Sequence, residues 1–298
     1  MKKILVTGAD GFIGRSLVPQ LELDRSLNVF ISTLDITDPS KVTDYFRENK
    51  FDTVVHLAGL SSPPECEQAE LKAYKINTLG AYFVAQALAE TQAGATFIFL
   101  STAHVYAPLV GEKDIVEESL VGPQNVYGKS KWMAELLLQD LGKRKDIKIR
   151  ILRLFNHTHN SQGPIYFLPA VYQQLIKIKQ NGKRDLFVGN VDIVRDIGVL
   201  DDLIRGLVCS IKMAAFESNF EVYNISSGVG KKLRDIIESL ARRMDIKDLN
   251  IITDTHKLRK NEPLYIVGSN QKFRSRTNWV PTATSVELLI DSFLSHSK

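Results

Sequence analysis

The sequence predicts a doubly wound α/β fold, in which helices cover both faces of a parallel sheet. Two observations support this prediction. Short β-rich runs alternate with helical patterns through the first 155 residues, as they do in parallel α/β sheets. Several of these runs are almost continuously apolar, for example residues 54–58 and 97–100, which is typical of strands that are buried on both faces.

Five strands are predicted in this first part, with helices between them: Lys3–Thr7, Val29–Leu34, Thr53–Ala58, Thr96–Ser101 and Lys148–Leu154. After Leu154 the alternation is less regular and indicates a smaller α/β lobe. There, helices are predicted at Leu168–Gln180, Lys232–Met244 and Ser285–Phe293, and strands at Leu186–Val188, Glu221–Ile225 and Asn250–Thr253. No flexible linker or internal repeat separates the two parts, so we expect them to fold as one unit.

Composition excludes several classes of protein. With 44% hydrophobic and 24% charged residues, the 298-residue chain has the balance of a soluble globular protein. Its formal charge of +4 is dispersed along the chain, which argues against nucleic acid as the main partner. Cys66 and Cys209 are far apart, so neither a disulfide scaffold nor a cysteine-based metal site is predicted. We find no signal peptide or long apolar run and expect a cytoplasmic protein without a membrane segment.

A glycine-rich turn follows the first predicted strand. Residues 7–14 read T-G-A-D-G-F-I-G, with glycines in G-x-x-G-x-x-G spacing at the start of a predicted helix. Glycines in such a turn permit a tight bend and close approach of the backbone to a pyrophosphate, and the helix N-terminus favours the negative charge. The turn predicts a Rossmann dinucleotide site contacted by Gly8, Gly11, Phe12, Ile13 and Gly14.

The choice between NADH and NADPH stays open at this point. Asp35 lies 21 residues beyond Gly14, a spacing that fits an acidic residue on an NAD ribose. However, residues 34–38, including Ile36, also resemble an adenine-contacting loop that normally follows a later strand. In that case the second and third strands would be compressed together. Arg15 is either a partner of a 2′-phosphate or a solvated arginine.

A tyrosine and a lysine four residues apart form the core of a candidate catalytic site. Tyr127 and Lys131 share one face of a predicted helix, and Ser101 and Thr102 end a buried strand. A phenol that protonates a ketone oxygen needs a pKa below its usual value of about 10. A cation about 4 Å away contributes roughly 4 kcal/mol at an effective dielectric of 20, so Lys131 is sufficient in principle. Alternatively, Tyr127 only packs in the core and Lys131 extends along the surface.

Taken together, these motifs resemble those of extended short-chain dehydrogenases/reductases, the NAD-dependent epimerase/dehydratase family. The resemblance rests on residues 7–14, 56–59, 76–80, 101–106 and 127–131, in family order and spacing. It implies an NAD(P)-binding Rossmann domain over residues 1–155, with returning segments around 190–215, and a nucleotide-sugar lobe mainly over residues 156–298. It also implies NADPH or NADH as the cofactor, and a homodimer.

The resemblance also implies roles for individual residues. Tyr127 would be the acid/base, Lys131 would bind the nicotinamide ribose and lower the phenol pKa, and Thr102 would be the catalytic hydroxyl, supported by Ser101. The residues Leu57, Ala58 and Gly59 would line the cofactor. Asn77 is expected to hold neighbouring backbone, and His104 to be a surface or substrate-side residue outside catalysis.

The second half resembles nucleotide-sugar 4-ketoreductases, notably those that reduce GDP-4-keto-6-deoxymannose, in residues 153–158, 188–196, 258–270 and 278–281. Asn156, Arg195 and Arg259 would then face the substrate diphosphate or nucleotide, and Asn190 its base or ribose. Alternatively, Arg195 only pairs with a nearby aspartate at 196, 201 or 202. Residues 159–161 read H-N-S where this subgroup has G-P-G, so the base of a dTDP, GDP, CDP or UDP sugar stays open.

The predicted function is therefore reduction of the C4 ketone of a nucleotide-linked 4-keto-6-deoxysugar by NADPH or NADH. An epimerase or a 4,6-dehydratase is the alternative within the family. A dehydratase normally has Asp-Glu after its catalytic hydroxyl residue, and this chain has Ala103-His104 there, which argues against dehydration. A dinucleotide-binding regulator without turnover is the alternative outside enzymes, against which the intact Thr102, Tyr127 and Lys131 argue.

Overall fold

The computed structural model describes residues 1–109, 111–213, 216–258 and 262–295. Within these ranges, six parallel strands form a central sheet: β1 Lys2–Thr7, β2 Leu27–Ser32, β3 Thr53–His56, β4 Ala95–Thr102, β5 Ile147–Leu154 and β9 Phe220–Ile225. Their order is β2-β1-β3-β4-β5-β9. The chain moves from β1 to β2 on one side and then back to β3 on the other, which creates a crevice at the carboxyl ends of β1 and β3. The predicted doubly wound α/β fold is confirmed.

The predicted strands agree with the structure to within about two residues, and two differences are informative. Four short strands were not among those predicted: Asn156–Thr158, Val194–Val199, Gly230–Lys232 and Tyr265–Ile266. The second strand ends at Ser32 rather than Leu34, because the Leu34 N–H donates to the Ser32 hydroxyl at 3.0 Å and the chain turns there. The residues around 221–225 form β9, which pairs with β5 in the central sheet. The return of the chain to this sheet thus extends beyond the predicted segment around 190–215.

Helices cover both faces of the central sheet. Their bounds are α1 Gly14–Glu22, α2 Pro39–Glu48, α3 Pro63–Gln68, α4 Glu70–Tyr74, α5 Ala81–Thr91, α6 Val126–Arg144, α7 Phe167–Asn181, α8 Leu200–Lys212, α9 Leu233–Arg243, α10 Gln271–Thr277 and α11 Val286–Ser295. Apolar residues of α2, α5 and α6 pack on one face of the sheet, and those of α1 and α8 pack on the other. A π-helical turn at Lys75–Gly80 joins α4 to α5.

The smaller lobe is built around short strands. They are β6 Asn156–Thr158, β7 Asp185–Val188, β8 Val194–Val199, β10 Gly230–Lys232, β11 Asn250–Thr253 and β12 Tyr265–Ile266. Strand β8 pairs with β6, β10 and β12, and β7 pairs with β11. Because β6 directly follows β5 along the chain, this lobe starts at the carboxyl edge of the central sheet.

Buried carboxylates connect the two lobes. Asp196, which is fully buried in β8, accepts the N–H groups of Ser227 at 2.8 Å and Gly228 at 3.0 Å. Asp202 of α8 accepts the N–H groups of Thr282 at 2.8 Å and Ala283 at 3.1 Å. Hydrogen bonds of this kind compensate for the cost of burying a charge, so the segments that close the smaller lobe have a defined position on the sheet.

The structure was also searched for membrane spans and metal sites. In the described ranges, no helix combines the length and apolar character needed to cross a membrane. Over the same residues, no group of three or more histidine, cysteine, aspartate or glutamate side chains is arranged to hold a metal ion.

Candidate active site

The glycine turn after β1 leaves room for a ligand at one of its three glycines. Gly8 has a φ of +66°, and a Cβ there would lie 2.6 Å from the Ala58 nitrogen, while a Cβ at Gly14 would lie 2.5 Å from the Ala9 oxygen. These two glycines are required by the backbone itself. At Gly11 a Cβ would meet only the Gly8 oxygen, at 3.1 Å, and the residue is exposed.

The backbone at the start of α1 and the glycine turn together form a cradle for a ligand. Among the described residues, the N–H groups of Phe12, Ile13 and Gly14 have no backbone acceptor, whereas the Arg15 N–H donates to the Gly11 oxygen at 3.1 Å. Unpaired N–H groups and the positive end of the helix dipole favour an anion. The turn therefore fits the pyrophosphate of a dinucleotide.

The residues that were expected to distinguish NADH from NADPH lie beside this turn. Asp35 is exposed and follows β2, whose carboxyl end is adjacent to that of β1. Its carboxylate accepts from the hydroxyl and the N–H of Thr37, and these hydrogen bonds lower its pKa. The exposed Arg15 donates from Nε to the Asp10 oxygen at 2.6 Å. Ile36 is buried, with its Cδ1 close to Gly80, so it packs against the π-helical turn.

The loop after β3 connects the glycine turn to Lys131, the candidate catalytic lysine. Leu57 and Ala58 donate their N–H groups to the oxygen and the hydroxyl of Thr7, at 3.1 and 3.4 Å. A Cβ at Gly59 would lie 2.9 Å from Asn77 Oδ1 and 3.4 Å from Lys131 Nζ. The three residues predicted to line the cofactor therefore extend from the glycine turn to Lys131.

Asn77 holds this loop against α6, as the sequence indicated. Its Oδ1 accepts from the Leu60 N–H at 2.8 Å, and its Nδ2 donates to the Leu60 oxygen at 3.0 Å and the Ser130 hydroxyl at 2.9 Å. The π-helical turn that carries Asn77 places this side chain at the sheet edge; such turns often occur at functional sites.

Thr102 and Tyr127 come together at the carboxyl end of β4. Thr102 is the last residue of this buried strand, and Tyr127 is the second residue of α6. The Thr102 side chain lies near enough to the Tyr127 phenol to lower its pKa, and it accepts the N–H of His104 at 3.2 Å. The pair predicted to face the substrate oxygen is thus brought together by the fold.

Lys131 does not lower the pKa of Tyr127 in this geometry, contrary to the expectation from sequence. Although Tyr127 is only half-buried, desolvation of its phenol raises the pKa to about 12, and the nearby Thr102 side chain offsets this only in part. The Lys131 ammonium donates instead to the Leu100 oxygen at 2.8 Å and lies 4.6 Å from the centre of the Phe99 ring. Burial lowers the pKa of Lys131 to about 8.

A buried ion pair supports the carboxyl end of β4. The Ser101 hydroxyl donates to Glu135, and Glu135 also pairs with Arg153 at 2.7 Å. All three side chains are nearly inaccessible to solvent. Arg153 belongs to the segment that resembles ketoreductases, but its position shows that it stabilises the site from within and does not face a substrate.

The residues predicted to bind substrate are distributed over the smaller lobe. Asn156 is exposed in β6, which pairs with β8. Arg195 in β8 pairs with Glu262 at 3.3 Å, a partner that lies 67 positions away and was not predicted. Asn190 accepts the N–H of Asp192 at 3.0 Å and stays half-exposed. Arg259 lies outside the described residues.

Sequence reasoning missed several residues around Tyr127. Asn125 caps α6 by accepting the Gly128 N–H at 2.7 Å, and Glu67 accepts the Val126 N–H at 2.8 Å. Cys66 packs in the same cluster as Tyr127. An asparagine just before a helical pattern is a known capping signal, so Asn125 could have been identified, whereas nothing local indicates Glu67 or Cys66.

Comparison with known proteins was made by sequence and by structure. The sequence profile of the NAD dependent epimerase/dehydratase family matches residues 4–226. The chain is 28% identical to GDP-6-deoxy-D-mannose reductase of Pseudomonas aeruginosa over 288 residues, which cover 95% of this chain and 93% of the relative. It is 26% identical to UDP-glucose 4-epimerase of Lactobacillus helveticus, over 97% of this chain and 94% of that protein.

A solved structure shares almost the whole fold. The structure of RMD from Pseudomonas aeruginosa, complexed with NADPH, superposes with a TM-score of 0.86 at 27% identity and covers 99% of both chains. The similarity therefore includes both lobes and the crevice between them.

Proposed function

The chain belongs to the NAD dependent epimerase/dehydratase family, and we propose that it reduces the C4 ketone of a nucleotide-diphospho-4-keto-6-deoxysugar with NADPH or NADH. The coarser part of this statement, an enzyme that uses a nicotinamide dinucleotide, follows from the family. The finer part is supported most directly by the placement of Thr102 and Tyr127 at the sheet edge beside Lys131 and Gly59.

Each catalytic residue has a distinct task in this proposal. The Thr102 hydroxyl orients the C4 oxygen, and Tyr127 donates the phenol proton to that oxygen. Gly11 and the N–H groups at the start of α1 hold the pyrophosphate, and Lys131 holds the nicotinamide ribose. The bound nicotinamide supplies the hydride. Asn156 and Arg195 contact the diphosphate of the sugar nucleotide, whose charge suits an arginine fork.

The Tyr127 phenol is in the form from which a proton can be donated. A pKa of about 12 keeps it protonated at neutral pH but makes it a weaker acid than the expected phenol with a pKa below about 10. Donation is aided as negative charge develops on the ketone oxygen in the transition state.

An epimerase is the second candidate, because 4-epimerases are among the relatives at similar identity. It would use the same three catalytic residues on a substrate that turns over within the site. The two activities differ in their products: a reductase consumes one reduced cofactor for each sugar, whereas an epimerase inverts C4 with no net consumption.

The test is an assay of purified protein with a panel of freshly prepared dTDP-, GDP-, CDP- and UDP-linked 4-keto-6-deoxysugars. The proposal predicts stoichiometric loss of reduced-nicotinamide absorbance and formation of a C4 alcohol with at least one base. Inversion at C4 without net oxidation of cofactor would assign the epimerase activity instead. Cofactor binding with neither reaction would exclude both and favour the regulator.

We also propose a homodimer formed through α6 and the π-helical turn. Met133 and Leu136 on α6 are 46% and 45% exposed, and Leu79 on the turn is 42% exposed. Large apolar side chains grouped on neighbouring helices are typical of an interface. Sedimentation should show a dimer that Met133→Asp dissociates; a wild-type monomer at micromolar concentration would contradict it.

A further inference from the structure

His104 links the two elements that carry Thr102 and Tyr127. It lies in the 3₁₀ turn Ala103–Val105 directly after β4, and its N–H donates to the Thr102 hydroxyl at 3.2 Å. Its ring packs edge-on against the ring of Tyr127, with 5.6 Å between centroids and an interplanar angle of 70°. The family resemblance gave this residue no catalytic role.

The helix cap determines where the imidazole carries its proton. Asn125 Oδ1 accepts the Gly128 N–H at 2.7 Å, so the Nδ2 of the same amide faces His104 Nδ1, at 3.1 Å. An amide NH₂ can only donate. Nδ1 must therefore accept, which places the single proton of a neutral ring on Nε2.

The contact between the two elements is tight. A Cβ at Gly128 would overlap with the His104 carbonyl oxygen, so the first turn of α6 lies directly on the backbone of the 3₁₀ turn. Asn125 and Glu67 satisfy the N–H groups of Gly128 and Val126. Tyr127 is the residue between these two fixed amides, so any movement of the cap displaces its phenol.

We propose that His104 is a positioning residue for Tyr127. Its neutral imidazole accepts a hydrogen bond from the Asn125 amide and so holds the Tyr127 phenol in line with Thr102. The inference rests on the proposed function in that Tyr127 is the proton donor. A proton on Nδ1 would place a donor opposite the Asn125 donor. The amide would then have to rotate, and the Gly128 N–H would lose its acceptor. Titratable side chains around this contact are Tyr127 and Glu67, with Cys66 and Tyr166 beside the phenol.

Two substitutions separate the effect of the hydrogen-bond acceptor on His104 from the effect of its aromatic ring. His104→Phe keeps an aromatic ring against Tyr127 but has no acceptor. His104→Asn places an amide oxygen near the position of Nδ1 and does not titrate. For His104→Phe we expect kcat to fall between about 5-fold, the effect of one neutral hydrogen bond, and about 100-fold, the effect of a 1 Å misplacement. KM should change little, because neither substrate nor cofactor loses a contact.

His104→Asn is the matched control, and its pH profile is the decisive readout. It should keep kcat within about threefold of the wild type, less than the loss of one hydrogen bond. It should also lack the fall in kcat on acidification that protonation of His104 causes in the wild type. Equal kcat in the Phe and Asn variants, or the same acidic fall in the Asn variant, would overturn the proposal.

A second measurement does not depend on the substrate. Long-range ¹H–¹⁵N NMR of the ligand-free wild type reports which imidazole nitrogen carries the proton. The proposal requires a neutral His104 with the proton on Nε2 at neutral pH. A proton on Nδ1, or a charged ring, would overturn it whether or not the protein reduces any 4-keto sugar. Failure of the wild type in the turnover assay would instead overturn the proposed function.

Discussion

Replacement of Tyr127 by phenylalanine tests the proposed proton donor. The substitution removes one oxygen and keeps the ring, including its contact with His104 and its place in the cluster with Cys66 and Val126. Packing is thus retained, and we expect a folded protein that still binds cofactor and nucleotide sugar. The change acts on the step in which the ketone oxygen becomes negative.

The expected magnitude is that of losing a positioned acid. With a pKa of about 12, only about one phenol in 10⁵ is ionised at pH 7, so nearly every wild-type molecule carries the proton needed for reduction. Loss of a positioned acid lowers kcat by about 10²–10⁴, or about 3–5 kcal/mol in the barrier at 1.36 kcal/mol for each factor of ten. The Thr102 hydroxyl remains as one donor, so some turnover should survive.

The assay is steady-state reduction of the accepted 4-keto sugar, followed by the loss of reduced-nicotinamide absorbance. The loss should be in kcat with KM nearly unchanged, because the missing interaction forms mainly in the transition state. Tyr45→Phe is the matched control, since Tyr45 of α2 packs against Phe46 and Phe51 in the core beside the central sheet. If Tyr127→Phe kept more than about a tenth of wild-type turnover, above the range for a lost acid, another group would be the donor.

Three further predictions concern the cofactor. Gly8→Ala should lower the melting temperature, because the Ala58 backbone leaves no room for a Cβ at a positive φ. Gly11→Ala should keep the melting temperature and lose cofactor affinity. Thermal unfolding with and without NADPH checks both variants, and unchanged cofactor affinity in Gly11→Ala would contradict a pyrophosphate site at this turn. The lowered pKa of Lys131, about 8, means that its charge is present below that pH and is lost above it. Cofactor KM should therefore rise as the pH increases through about 8, and Lys131→Met should show no such rise. Arg15→Ala should weaken NADPH more than NADH; equal losses would identify Arg15 as a solvated residue.

The sequence alone determined the features that depend on local order. The five strands of residues 1–155 were predicted to within about two residues, because strands that are buried on both faces have short, nearly continuous apolar sequences. The glycine turn was also readable, since a positive φ at Gly8 and close backbone contact at both Gly8 and Gly14 admit no other residue. The order and spacing of five motifs, at residues 7–14, 56–59, 76–80, 101–106 and 127–131, carried the family resemblance.

Only the tertiary structure decided which partner each charged group has. Lys131 was expected to act on the Tyr127 phenol four residues away, but its ammonium reaches the Leu100 carbonyl, 31 positions earlier in the chain. Arg195 has a partner in Glu262 at a separation of 67 residues. Burial, which sets the pKa of both Tyr127 and Lys131, is likewise a property of the assembled site.

The physical reason is the range over which each effect acts. Backbone conformation and hydrophobic periodicity depend on neighbours within a few residues, so the sequence records them directly. Desolvation and ion pairing depend on distances between segments that meet only when the sheet has formed. The sequence therefore determined the fold and the candidate catalytic residues, and the tertiary structure determined their burial, their partners and the helix cap beside Tyr127.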